Sequence, residues 1–187
     1  MSTIGFKRAV VGIYDENEKV TQQVIIDPTT KNGTIEMNIS GLAAQQNKVY
    51  ASNIAVYVSQ LGTGDVKATF SLFDLTADVK SKILGWASQT AGYAVGSATN
   101  PPYVVVDCQV DLPDGNTGHI VLLKGKFAFD GDDIKTSDNN GAVPSTDQLQ
   151  GSFVGRNSDG LVYYVVSEGD TGFTSTAFNA FIFPPAA

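Results

Sequence analysis

One cysteine, one histidine, one tryptophan and two methionines stand among 187 residues, and each scarcity closes a route. The lone thiol, Cys108, permits no disulfide within the chain. The lone imidazole, His119, is the single candidate base for a Ser/His/Asp triad, and no Gly-x-Ser-x-Gly elbow accompanies it. A zinc site would need partners that this sequence lacks. No apolar run approaches the ~20 residues of a membrane-spanning helix. The opening Met1-Ser2-Thr3-Ile4-Gly5-Phe6-Lys7-Arg8 has no apolar stretch of signal-peptide length. A soluble chain made in the cytoplasm is therefore expected. Charge is also sparse, with 12 Lys and Arg against 19 Asp and Glu for a net of −7. Gripping nucleic acid by phosphate neutralisation takes Lys and Arg, so that mode is disfavoured. A surface that nucleic acid slides past without sticking is compatible with the same balance.

What is present is β pattern. The length suits one domain over 1–187 with a core of its own. Runs at 6–14 and 20–26 read as strands around a turn at Asp15-Glu16-Asn17-Glu18. Ile35, Met37 and Ile39 alternate with Glu36, Asn38 and Ser40, and Val66, Ala68, Phe70 and Leu72 alternate with Lys67, Thr69 and Ser71. Both runs have the period of a strand that is wet on one face. The stretch 49–59, rich in Val, Ile and Tyr, reads as a further β run. One short helix is expected after Asp74 or Thr76, with Leu75, Val79 and Ile83 on one face and Gly85 as its stop.

Strands are expected again at 103–110, 119–129, 148–155 and 161–166. In the first of these, Val104, Val106, Cys108 and Val110 share a face, which makes Cys108 a buried structural thiol. Asp107 and Gln109 point the other way. The stretch 130–147 is acidic and turn-rich and reads as a long loop. The segment 168–187, with its alternating Phe178, Ala180 and Ile182, reads as a last strand or an arm pairing with a neighbour.

No candidate chemistry stands out. Asp130-Gly131-Asp132-Asp133 lacks the order of an EF-hand loop. No pair of carboxylates is singled out for glycoside hydrolysis. Tyr50, Tyr57, Trp86, Tyr93, Tyr163 and Tyr164 could stack on sugars, but their strand and helix-end positions favour packing. His119 reads as an ordinary strand or turn histidine. No catalytic set, metal or cofactor is expected.

The most distinctive residues are Pro101-Pro102-Tyr103-Val104, Leu123-Lys124-Gly125-Lys126-Phe127, and Gln148-Leu149-Gln150-Gly151-Ser152-Phe153 followed by Arg156-x-x-Asp159-Gly160. With Ile4-Gly5, Val49-Tyr50-Ala51-Ser52-Asn53 and the Asp74-Leu75 helix ending at Leu84-Gly85, their order and spacing resemble the major tail protein (tail tube protein) family of long, flexible-tailed (siphovirus) phages of Gram-positive bacteria. Ser52 departs from the family pattern, which has an acidic residue there.

The resemblance implies a β-sandwich or barrel with one short flanking α-helix and long loops, acting as a structural virion protein. Six subunits would form a ring, and rings would stack into a tube around the tape measure protein, between a tail terminator and a distal tail protein. DNA would later pass through the lumen without specific binding. Glu36, Asn38, Lys67, Thr69 and Ser71 then face water and are candidates to line the lumen, with the outer surface of the tube as the alternative. Ile4, Gly5, Asp130, Asp132, Asp133 and Asp138 become candidate contacts between subunits or rings. The competing readings are a receptor- or carbohydrate-binding β-sandwich module and, further off, a small hydrolase.

Overall fold

The longest strand changes partners halfway along. In the computed structural model, which describes residues 1–30, 32–132, 134, 136 and 146–186, strand β10 (Thr117–Phe129) pairs through Gly118–Leu122 with two strands. These are β9 (Val104–Asp111) and β12 (Tyr163–Ser167). Its register shifts between Leu122 and Gly125, and Gly125–Phe129 pairs instead with β11 (Thr146–Phe153). At the bend the Leu123 N–H donates to the Val162 carbonyl at 2.8 Å, and the Lys124 carbonyl accepts from the Val154 N–H at 2.9 Å. Such irregularities bend a strand and let it turn a corner between two layers.

One layer continues from β9 through β1 (Gly5–Tyr14) to β2 (Val20–Ile26), and the other from β11 through β6 (Val66–Phe73) to β3 (Gly33–Ser40). All of these pairings are antiparallel. At one end of the sandwich β3 approaches β1, where Thr34 Oγ1 donates to the Phe6 carbonyl at 3.1 Å. The expected mainly β sandwich or barrel is what the chain forms. Between the layers lie Ala9, Val11, Val24, Ile26, Val66, Ala68, Phe70, Leu72, Val104, Val106, Cys108, Leu122, Phe127, Leu149 and Phe153. Cys108 is buried there as expected, and burial followed by the neighbouring Asp107 charge pushes its thiol pKa up.

Two glycines of the distinctive motifs make room for two phenyl rings. Gly125 pairs with Phe153, and Phe127 pairs with Gly151. A Cβ on Gly125 would sit 2.3 Å from the Phe153 ring, and one on Gly151 2.6 Å from the same ring and 2.8 Å from Phe127. The rings pack edge to face, 5.7 Å between centroids, over the bare backbone.

Helix α1 (Ala77–Leu84) forms as expected, with Leu75, Val79, Ile83 and Leu84 buried against the sandwich and Gly85 closing it at φ 68°. Neither Asp74 nor Thr76 caps it by its side chain. Distant groups anchor the two residues that lead into it: the Leu75 N–H donates to Asp147 Oδ2 at 2.7 Å and the Thr76 N–H to Asn32 Oδ1 at 3.0 Å.

Three expectations are corrected. The stretch 49–59 is not one run but a hairpin, β4 (Asn47–Ala51) and β5 (Ile54–Ser59), turned at Ser52 and Asn53 with φ of 51° and 64°. A two-residue hairpin loop with both φ positive favours Asn, Asp and Gly, so the family's acidic residue at Ser52 fits a turn role. A second hairpin, with strands of two residues each, joins β7 (Ala87–Ser88) to β8 (Tyr93–Ala94), although the sequence from Thr90 to Asn100, rich in Gly, Ala, Ser and Thr, reads as a loop.

The third correction concerns the C-terminal segment. It is neither a strand nor an outward arm but a second helix, α2 (Ser175–Ile182), lying on its own sheet. Phe178 and Ile182, four apart, bury against Val10, Tyr14, Val105, Val121 and Leu123. A short apolar run fits either period, and a bare apolar sheet face decides for the helix. Beyond it the Val20 N–H donates to the Pro184 carbonyl at 2.7 Å.

Candidate functional site

The polar residues singled out on two strands meet on one face. Glu36 pairs with Ser71, Asn38 with Thr69 and Ser40 with Lys67. The next strand extends the array, since Gln148 pairs with Ser71, Gln150 with Thr69 and Ser152 with Lys67. Three strands thus present Glu36, Asn38 and Ser40, then Lys67, Thr69 and Ser71, then Gln148, Gln150 and Ser152. The opposite face of β6 and β11 is core. One Glu and one Lys leave this array near neutral, and the Lys67 ammonium pairs with Asp65 at 2.8 Å. Ile35 was expected in the core but is half exposed, because it sits at the register shift between Thr34 and Glu36. Gln148, Gln150 and Ser152 were missed because the register of β11 against β6 is non-local.

A second surface is apolar. On the β4–β5 hairpin Ile54 is 68% exposed, Val56 60%, Tyr50 63% and Tyr57 60%, and Leu61 beyond it is 92% exposed. Adjacent residues of β5 face opposite sides, so neither face of the hairpin is covered by its own chain. The expectation that Tyr50 and Tyr57 pack within the subunit is overturned. Ile4 is exposed beside Gly5, held by its N–H to the Asp111 carbonyl at 2.9 Å. Asp130 accepts from Gln150 at 2.9 Å and Asp132 pairs with Lys80 at 3.1 Å. Asp133 and Asp138, with most of the acidic stretch, lie outside the described residues.

The distinctive motifs converge at one end of the sandwich. Lys124 and Lys126 place their ammonium groups 4.8 and 4.7 Å from the Tyr103 ring centre. Lys124 Nζ donates to Glu18 Oε1 at 2.6 Å and to Asn157 Oδ1 at 3.1 Å. Burial raises the Glu18 pKa, but the Lys124 hydrogen bond, the Asn157 N–H and the Lys124 charge outweigh it and hold the carboxyl below its ordinary value. Arg156 pairs with Asp159, lies over Phe181 and donates through Nη1 to the Phe181 carbonyl at 2.8 Å, which fastens α2. These residues are mutually satisfied, and their arrangement is architectural.

The chain matches a family model described as phage tail tube protein over residues 1–186. It belongs to that family. Among curated proteins none matches it. As a tail tube protein it is a structural component of the phage tail, and the family implies self-assembly. The lone histidine is held in the fold: His119 Nδ1 faces Asp107 and Nε2 faces Glu168, while the Phe173 and Phe178 rings pack on the imidazole. Among the described residues no hydroxyl bonds to that imidazole, and no cluster of three potential metal ligands occurs.

Proposed function

We propose that six copies of this chain close into a ring, that rings stack into the tail tube of a siphovirus, and that DNA reaches the host through the bore. The whole chain, 1–187, works as one tail tube domain. One observation carries this reading: a near-neutral polar sheet face and an apolar hairpin stand on the same sandwich. The polar array of Glu36, Asn38, Lys67, Thr69, Ser71, Gln148, Gln150 and Ser152 lines the bore. It gives phosphate few cations to condense on, so DNA is not trapped by counterion release. Large exposed apolar patches mark contact surfaces.

The β4–β5 hairpin, Ile4 and Gly5, and the acidic stretch with Asp130, Asp132, Asp133 and Asp138 therefore contact neighbouring copies. The tape measure protein fills the bore during assembly, and the tail terminator and distal tail protein cap its ends. Synthesis is in the host cytoplasm and the final location is the virion tail. Electron microscopy of the purified chain at high concentration tests this, with six-fold rings or tubes expected. Val56→Glu should leave a folded subunit that makes neither. Isolated particles from the unaltered chain, at every concentration and in the tail, would instead favour a receptor- or carbohydrate-binding module.

A further inference from the structure

We propose that His119 makes the C-terminal segment of this subunit a pH-sensitive latch, closed when the imidazole is protonated and loosened when it is neutral. His119 is 4% exposed and Asp107 1%. His119 Nδ1 lies 3.0 Å from both Asp107 Oδ1 and Oδ2, a position in which only an N–H satisfies the carboxylate. Gln109 Nε2 donates to Asp107 Oδ2 at 2.9 Å, and Arg8 Nε donates to Gln109 Oε1 at 2.6 Å. The other ring nitrogen, Nε2, faces Glu168 Oε1 at 3.5 Å. The cover over the ring belongs to the C-terminal segment, with the Phe178 centroid 4.3 Å away and Phe173 stacked at 5.9 Å.

The charges facing this group are few. Strand β1 supplies Arg8, one glutamine removed, and β9 supplies Asp107, with the exposed Asp111 at its end. Strand β12 supplies only Tyr164, its ring tilted against Phe178, and the turn after it supplies Glu168 and Asp170. Asp170 is committed to the Ser167 N–H at 2.8 Å. Helix α2 has no charged side chain. An imidazolium at this point sits between two carboxylates and under two phenyl faces, so each contact strengthens with its charge. A neutral ring leaves a buried carboxylate without its counter-charge and removes the attraction that draws Glu168 in.

The direction follows from the surroundings. Burial lowers the His119 pKa, and the hydrogen bonds and charges of Asp107 and Glu168 outweigh it, leaving the pKa above the ordinary value of 6.5. The stabilisation is thus complete below pH 6.5 and lost as pH rises through the folded-state value. What loosens is the packing of α2 on Val105, Val121 and Leu123.

Because His119 is the only histidine, nitrogen NMR of the full chain reads its titration directly, and amide exchange corrected for intrinsic rates reads the latch. The expected result is a loss of protection confined to 168–183 between pH 6 and pH 9, with the midpoint of the histidine signal. His119→Gln, which still donates to Asp107 but does not titrate, should make the profile flat. Equal protection at both pH values, a loss that persists in His119→Gln, or a midpoint unlike that of the imidazole overturns the proposal. If His119→Gln does not fold, the coincidence of the two midpoints in the unaltered chain decides alone.

Discussion

Lys80 Nζ lies 2.7 Å from Asp147 Oδ1 and 3.1 Å from Asp132 Oδ1, so one ammonium on α1 ties down both ends of the acidic stretch. The same ammonium stands 4.3 Å over the Phe129 ring, and Asp147 also receives the Leu75 N–H at the start of the helix. Helix, corner strand and acidic stretch therefore share one buried charge centre.

Replacing Lys80 by Ala should cost about 2–3 kcal/mol, because Asp147 is left largely buried without its cation. Urea unfolding measures the loss. Lys80→Ala with Asp147→Asn should recover part of it, whereas a loss in the double variant equal to the sum of the two single losses would show that the pair is not coupled.

Much of this architecture is written in local pattern. The strand at 20–26, the period-two run at 66–73 and the α1 face of Leu75, Val79 and Ile83 with its Gly85 stop can be read residue by residue. The C-terminal helix cannot. Phe178 and Ile182 satisfy both a strand period and a helical one, and the choice falls to a sheet face that three other strands build. The polar array is half legible for a similar reason. Each strand shows its own wet face, but Gln148 joins Ser71 only through a pairing 77 positions apart in numbering, 148 less 71. The Asp107–His119 and Lys80–Asp147 pairs are likewise products of topology. Composition marks their members only as charged residues among apolar neighbours.

Gly125→Ala should destabilise the subunit by about 1–3 kcal/mol, the usual cost of forcing extra atoms into a filled core. The added methyl meets the Phe153 ring, which is itself held by Phe127. Gly125→Ala with Phe153→Leu should be more stable than the sum of the two single changes predicts. Calorimetry of the four proteins reads the coupling, and strict additivity would reject the glycine–phenyl account.

Turn chemistry makes a prediction for the hairpin. Ser52 adopts φ 51°, a left-handed conformation that asparagine and glycine accept more readily than serine. Ser52→Asn should slow amide exchange in 47–59, and Ser52→Pro, which fixes φ near −65°, should abolish the hairpin register. If the hairpin makes inter-subunit contacts, Ser52→Pro also lowers tube yield while the melting of the sandwich stays unchanged.

Acid should weaken the motif cluster. Glu18 is held below its ordinary value of 4.5, so its contribution is complete above that pH and fades as pH falls through the lower folded-state value. Glu18→Gln should therefore be less stable than the unaltered chain at pH 7, and the gap should narrow below pH 4.5. Melting temperatures of both proteins across pH 3–7 test this, and a constant gap would mean that the Glu18–Lys124 contact does not titrate with folding.

The polar array makes the sharpest demand of the tube. Glu36, Asn38, Lys67, Thr69 and Ser71 stand with Gln148, Gln150 and Ser152 on one sheet face, with a single Glu and a single Lys among them. A lumenal array repeats any added cation around every ring, so Glu36→Lys, Thr69→Arg or Gln150→Arg presents stacked circles of positive charge to passing phosphates. Tubes should still form, because these side chains point away from the core, but DNA ejection should slow. Raising the salt should relieve the slowing, since the driving force of counterion release falls and screening grows with ionic strength. An array on the outer surface predicts unaltered ejection at every salt concentration. Ejection kinetics of the three mutant phages, at low and high salt beside the unaltered phage, separate the two placements. Normal ejection in all three would move the array to the outside of the tube.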